Sequence, residues 1–197
     1  MAATTHPAAT THPAATTTLG ALSCARLSGW RTVAVVDVGG GSAQVVVGSR
    51  KTGPVWSRSI DIGSQRLTSR LLSADPPGAA AIEEAAAEVE RYLDGFAPPA
   101  PHTTLVVGGS ARALKRMAGG RIGRVELEDA LEQLATTPTA VLARTYGIGD
   151  ERARTWPAGA VIFSALQRRL GTPLKVQRGG LREGALLMLA AEHAVAA

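Results

Sequence analysis

From Arg31 onward, the spacing of apolar and polar positions alternates between two periods, and the switches predict the elements. Val33–Val36 is a β-branched run ending at Asp37, and Ala43–Val47 is a second; apolar runs of this length, separated by turn residues, read as strands. Trp56–Ile62 reads as a third strand. A helical pattern covers Ile82–Leu93, with Glu83, Glu84, Glu88 and Glu90 interleaved among apolar positions and read as a solvated face. Pro98, Pro99 and Pro101 break the chain before a short strand at Thr103–Val107. Helices are predicted at Ala111–Met117, Leu127–Leu134, Thr139–Tyr146 and Pro157–Leu170, the last opening on a proline, whose missing N–H is harmless at a helix start. A strand at Leu174–Gln177 and a helix at Leu181–His193 close the pattern. Three adjacent strands followed by strands alternating with helices predict an α/β domain with a mixed sheet.

The first thirty residues do not share this pattern. AATTHP occurs at 2–7 and again at 8–13, followed by AATTT. The repeat has no apolar face to offset the entropy of ordering it, so residues 1–30 read as a disordered leader. His6 and His12 on such a repeat make no metal site. No basic residue precedes the mildly apolar stretch at 19–25, so a secretory signal is not expected.

Composition narrows the function classes. Of 197 residues 45% are hydrophobic and 19% charged, which argues against wholesale disorder, and no apolar run is long enough to span a membrane. The single cysteine, Cys24, permits no internal disulfide, which points to the cytoplasm. Net charge is +5, and of the 21 basic residues only Lys51, Lys115 and Lys175 are lysines. Arginine grips phosphate oxygens bidentately, so an anionic partner fits. Seven scattered aromatics and no long basic run argue against nucleic acid.

Three glycine turns carry the candidate chemistry. The first is Asp37-Val38-Gly39-Gly40-Gly41-Ser42-Ala43-Gln44, between two strands. No helix follows its glycines and no Gly-Lys-Ser/Thr appears, which excludes a dinucleotide fingerprint and a Walker loop. Successive glycines let N–H groups of Gly39, Gly40, Gly41 and Ser42 converge on phosphate oxygens, with Asp37 on a magnesium ion; the same residues also make a plain hairpin turn. The second turn, Gly108-Gly109-Ser110-Ala111-Arg112, leads from strand to helix. It can bind an anion at the helix N-terminus with Arg112 as a clamp, or Ser110 can simply cap the helix. The third, Gly179-Gly180-Leu181-Arg182-Glu183-Gly184, has the same alternatives. Asp61 and Asp75 sit in turn-like contexts. His102, His193, Met117, Met188 and Cys24 carry no chemical signal.

The order of these turns resembles the Ppx/GppA phosphatases, the exopolyphosphatases and guanosine pentaphosphate phosphohydrolases of the actin-like ATPase superfamily. The Asp-x-Gly-Gly-Gly-Ser strand end, the Gly-Gly-Ser turn and the Gly-Leu-Arg-Glu-Gly near the end carry the likeness. So do Ser59–Thr68, with its Arg66-Leu67-Thr68, and Glu151-Arg152-Ala153 followed by Pro157-Ala158-Gly159-Ala160. The resemblance implies a ribonuclease H-like lobe with a mixed five-stranded sheet and flanking helices over residues 31–197, corresponding to the family's second lobe. It also implies hydrolysis of a terminal phosphoanhydride of polyphosphate or guanosine pentaphosphate with Mg2+. Asp37 would be the metal-side carboxylate. Gly39–Ser42 and Gly108, Gly109 and Ser110 would contact phosphate, with Arg66 and Arg112 on the cleft side. Two departures stand out. Nothing in residues 1–30 supplies the first lobe's phosphate turn or its catalytic carboxylate, and Gln44 replaces the family's Glu. Glutamine can orient a water but cannot take its proton. The chain therefore reads as a hydrolase lobe whose activity alone is in question, completed by a homodimer or by the first lobe. The alternatives are a non-catalytic polyphosphate or (p)ppGpp binding module and an interaction subunit.

Overall fold

The computed structural model describes residues 31–49 and 51–177. Strand β1 (Val33–Val38) sits inside the sheet, antiparallel to β2 (Ala43–Ser49) on one side and parallel to β4 (Thr103–Val107) on the other. Strand β3 (Gly53–Ile60) pairs antiparallel with β2 and forms one edge. Beyond β4, β6 (Leu174–Val176) runs parallel to it, and the two-residue β5 (Arg121–Ile122) pairs antiparallel with β6. The order is β3-β2-β1-β4-β6-β5, so the sheet has six strands rather than five. The additional strand, β5, is too short to leave a periodic signal.

The two faces of the sheet differ. Ala34, Val36, Val38, Ala43, Val45 and Val47 join the main core, which includes buried residues of all six described helices. Val33, Val35, Leu105 and Val107 form a separate small cluster, on the opposite face by strand alternation. Asp37 falls on that second face.

The helices are α1 (Ser64–Leu71), α2 (Ala79–Tyr92), α3 (Gly108–Ala118), α4 (Arg124–Thr136), α5 (Thr139–Tyr146) and α6 (Asp150–Leu170). Helix α6 is the hub: it packs against the other five helices and buries thirteen of its residues, including an unbroken run from Trp156 to Leu166. A helix enclosed on most sides loses its amphipathic stripe and reads as apolar nearly all round.

Two expectations need correction here, and one helix was not predicted. Pro157 does not open α6: seven residues precede it, and the missing N–H falls in the interior, opposite the Ala153 carbonyl. The helix instead starts after Gly149 with Asp150 and Glu151 in its first turn, where carboxylates suit the helix dipole. The glutamates of α2 are not all solvated. Glu83 and Glu84 are exposed, but Glu88 is buried and pairs with Arg70 (2.9 Å) and Arg91, while Glu90 pairs with Arg168 (3.0 Å) and Arg169 (2.7 Å). Finally, α1 was not visible as a periodic element. It is eight residues long, buries Ser64, Leu67 and Thr68, and starts where the first turn supplies acceptors for its N–H groups. The predicted helix at Leu181–His193, the third glycine turn and the leader all lie outside the described residues.

Candidate functional site

The site forms where β1 ends. The chain reverses directly into β2, as the absence of a helix signal after the glycines required. Ser64 N and Ser64 Oγ donate to the Gly39 carbonyl at 2.8 and 3.3 Å, and Gln65 N and Arg66 N donate to the Gly40 carbonyl at 2.9 and 3.1 Å. The N-terminus of α1 is thereby spent on the carbonyls of the turn. Holding those carbonyls toward α1 leaves the turn's N–H groups available on other sides. Gly63 makes the docking possible: a Cβ there would lie 2.5 Å from the Gly40 carbonyl.

Not all of the expected donors are free. Gly39 N donates to the Ser42 carbonyl at 3.0 Å, so that donor is committed to the hairpin. The N–H groups of Gly40, Gly41 and Ser42 donate to no backbone acceptor among the described residues, and the three residues lie at least partly open to solvent. Those three are thus the N–H groups of the turn left without a backbone acceptor.

Asp37 stands beside it, half-buried, in register with Gln44 on β2. Gln44 is in turn in register with Ser59 on β3, so Ser59, Gln44 and Asp37 form a polar row across three strands. Desolvation pushes the Asp37 carboxyl above its ordinary range, and the charge of Arg112 pulls it partly back. Gly108, with φ of +90°, lets β4 turn into α3 directly against this group; a Cβ at Gly108 would lie 2.6 Å from Asp37 Oδ1.

The second turn behaves differently from expectation in one respect. Ser110 is not the cap of α3, which begins two residues earlier at Gly108 and has no side-chain cap. Its hydroxyl donates to the Val38 carbonyl at 3.2 Å, tying α3 to the end of β1. The N–H groups of Gly109 and Ser110, in the first turn of α3, remain the donors there. Arg112 is exposed and acts on Asp37 through its charge. Arg66 pairs with the exposed Asp61 at 2.5 Å and donates to the Asp61 carbonyl at 3.2 Å, so its guanidinium is turned to that neighbour in this structure.

On the helix side of the first turn lies a pocket of about 260 Å³, bounded by Gly39, Gly40, Gly109 and Ser110 and by residues of α1 and α6. Gln65, Glu151, Arg152 and Thr155 supply its polar walls, and none of them was singled out as a site residue. The guanidinium of Arg152 sits against Gly109, with Nη2 3.4 Å from where a Cβ would be. Gln65 falls within Ser59–Thr68 and Glu151-Arg152 within the later stretch that carried the family likeness, but no role was read for any of them. Asp37 and Gln44 do not line this pocket. The glycine turn thus separates a carboxylate-and-amide row on one side from a mixed polar pocket on the other.

Among the described residues no group of three or more His, Cys, Asp or Glu is assembled for a metal ion. One oxygen-bearing carboxylate beside a phosphate nest still suits magnesium, which commonly takes one or two carboxylates and completes its shell with water and substrate phosphate. No helix among the described residues is long and apolar enough to cross a membrane.

Comparison with known proteins bears directly on this arrangement. The chain is 28% identical over 152 residues to exopolyphosphatase 2 of Mycobacterium tuberculosis, a match covering 69% of this chain and 47% of that protein. The chain thus spans about half the length of the curated relatives it matches. The crystal structure of the Ppx/GppA family member from Aquifex aeolicus superposes with a TM-score of 0.82 at 22% identity, covering 92% of this chain and 62% of that one. An exopolyphosphatase from Cytophaga hutchinsonii gives 0.72 at 17% identity, over 90% and 62% of the two chains. These structures establish the fold as the actin-like ATPase type. The Ppx/GppA phosphatase family model matches residues 12–193, which takes in all three glycine turns; with that match and this fold, the chain belongs to the Ppx/GppA phosphatase family.

Proposed function

We propose that this chain is the second lobe of a phosphoanhydride hydrolase that releases terminal phosphate from polyphosphate or guanosine pentaphosphate. The observation that carries the reading is the convergence at the end of β1: unpaired N–H groups at Gly40–Ser42, the open N-terminus of α3, and Asp37 held half-buried beside them. Phosphoryl transfer needs little more from a protein than positioning and charge neutralisation.

In this reading the Gly40–Ser42 amides bind the terminal phosphate and Arg112 offsets its charge. Asp37 would hold a magnesium ion, which supplies neutralisation of the developing negative charge. Gln44, one strand over, orients water by hydrogen bonding. It cannot remove the proton, so in this reading another carboxylate does so, supplied by a first lobe or by a second copy. The name of the mycobacterial relative supports polyphosphate as the substrate class.

Gln44 in place of a carboxylate also favours a second reading, a module that binds polyphosphate or (p)ppGpp without turnover. Phosphate release from each substrate with magnesium, measured beside equilibrium binding, separates the two. Saturable binding with no release identifies the binder, and release identifies the hydrolase.

A further inference from the structure

Gln65 occupies an unusual place in this molecule. Its backbone N–H anchors the Gly40 carbonyl at 2.9 Å, and its side chain fills the space where a Cβ on the same glycine would stand. An added Cβ on Gly40 would sit 2.8 Å from Gln65 Cδ, and closer still to Oε1. Glycine at 40 is therefore what lets the carboxamide cross the turn. The carboxamide has no hydrogen-bond partner among the described residues, and Gln65 forms part of the pocket wall together with Arg152 and Thr155. An exposed glutamine with no partner ordinarily extends into water. This one is placed at the boundary between the phosphate nest and the pocket.

We infer that Gln65 is a specificity-determining residue, whose side-chain amide donates a hydrogen bond to the second phosphate of a substrate whose terminal phosphate sits on Gly40–Ser42. The inference rests on the phosphate reading of that turn and extends it. With Oε1 against Gly40, Nε2 is the atom left to donate. A neutral donor here adds contact to a chain of two or more phosphates without adding affinity for a lone phosphate, so it distinguishes a phosphoanhydride from its product.

The test is calorimetric titration of the chain with inorganic phosphate and with imidodiphosphate, the non-hydrolysable P–N–P analogue of pyrophosphate, in magnesium buffer. The variants are Gln65→Leu, which keeps the bulk over Gly40, and Gln65→Glu, which keeps the shape and adds a charge. Unchanged melting temperatures confirm that the fold is retained. Gln65→Leu is expected to bind imidodiphosphate about tenfold more weakly than the parent, the scale of one lost hydrogen bond to a charged group, with phosphate binding unchanged. Gln65→Glu is expected to lose more, through repulsion. Equal imidodiphosphate binding by parent and Gln65→Leu overturns the proposal, and a parallel loss for both ligands overturns it in favour of a supporting role for the turn. A parent chain that binds neither ligand overturns the phosphate reading itself.

Discussion

Two regions of this protein use the same side chains, carboxylates and guanidinium groups, to opposite ends. On the flank where α1, α2 and α6 meet, Glu88 is clasped by Arg91 and Arg70, and Glu90 by Arg168 and Arg169. Hydrogen bonding from Arg91, with the charges of both arginines, holds the Glu88 carboxyl below its ordinary range. Burial works to raise Glu90, but the bonds from Arg169 and Arg168 outweigh it and the net shift is down. At the end of β1, by contrast, Asp37 makes no direct ion pair among the described residues, and desolvation raises its carboxyl against the weaker pull of the Arg112 charge. Pairing converts charge into cohesion. Leaving a carboxylate desolvated beside free N–H groups costs stability and keeps the group available for a ligand.

The contrast can be broken most severely at its hinge. Gly63→Ala drives a methyl group into the Gly40 carbonyl, so α1 and the turn must separate; a loss of about 3 kcal/mol in denaturant unfolding is expected. Phosphate binding should fall with it.

Asp37→Asn is expected to act in the opposite direction, with a smaller effect. Because the folded carboxyl is raised above its unfolded value, the folded state holds the proton more tightly. Asp37 therefore costs the parent stability progressively as pH rises from the ordinary carboxylate range through the raised value. The variant should melt higher than the parent at pH 7, with the gap closing toward pH 3. For Glu88 the sign reverses: its lowered carboxyl contributes stability above the ordinary range that is lost as pH falls, so Glu88→Gln should melt lower at pH 7 and converge with the parent in acid. The smallest effect belongs to Glu90→Gln. Its partners are partly exposed, so removing the carboxylate should cost less than about 1 kcal/mol and still less in high salt.

The same contrast explains what the sequence made legible. Strands β1, β2 and β4 show as β-branched runs because both faces of the central sheet are buried, and Thr103–Val107 and Thr139–Tyr146 were bounded by prolines and glycines that mark their ends. Asp37 and the Gly-Gly-Gly-Ser turn were visible because chemistry at a strand end needs unusual residues in one short stretch. Helix α1 was hidden because its first turn is stabilised by carbonyls twenty-five residues away, a tertiary contact with no local signature. The assembly of the pocket was hidden for the same reason, although Gln65 and Glu151-Arg152 lie in stretches that carried the family likeness. Gln65 and Arg152 are ordinary surface residues until the fold brings α1 and α6 to the two glycine turns. The pairing of Glu88 was equally illegible, since a glutamate at helical spacing looks solvated until Arg70 of α1 is found opposite it.

The central claim is that the end of β1 is a working phosphate site built around Asp37. The most direct measurement is magnesium-dependent phosphate release from polyphosphate by the purified chain, beside Asp37→Ala. The account predicts release by the parent, alone or on adding the complementary lobe, and none by the variant under either condition. Equal release by both proteins would contradict it.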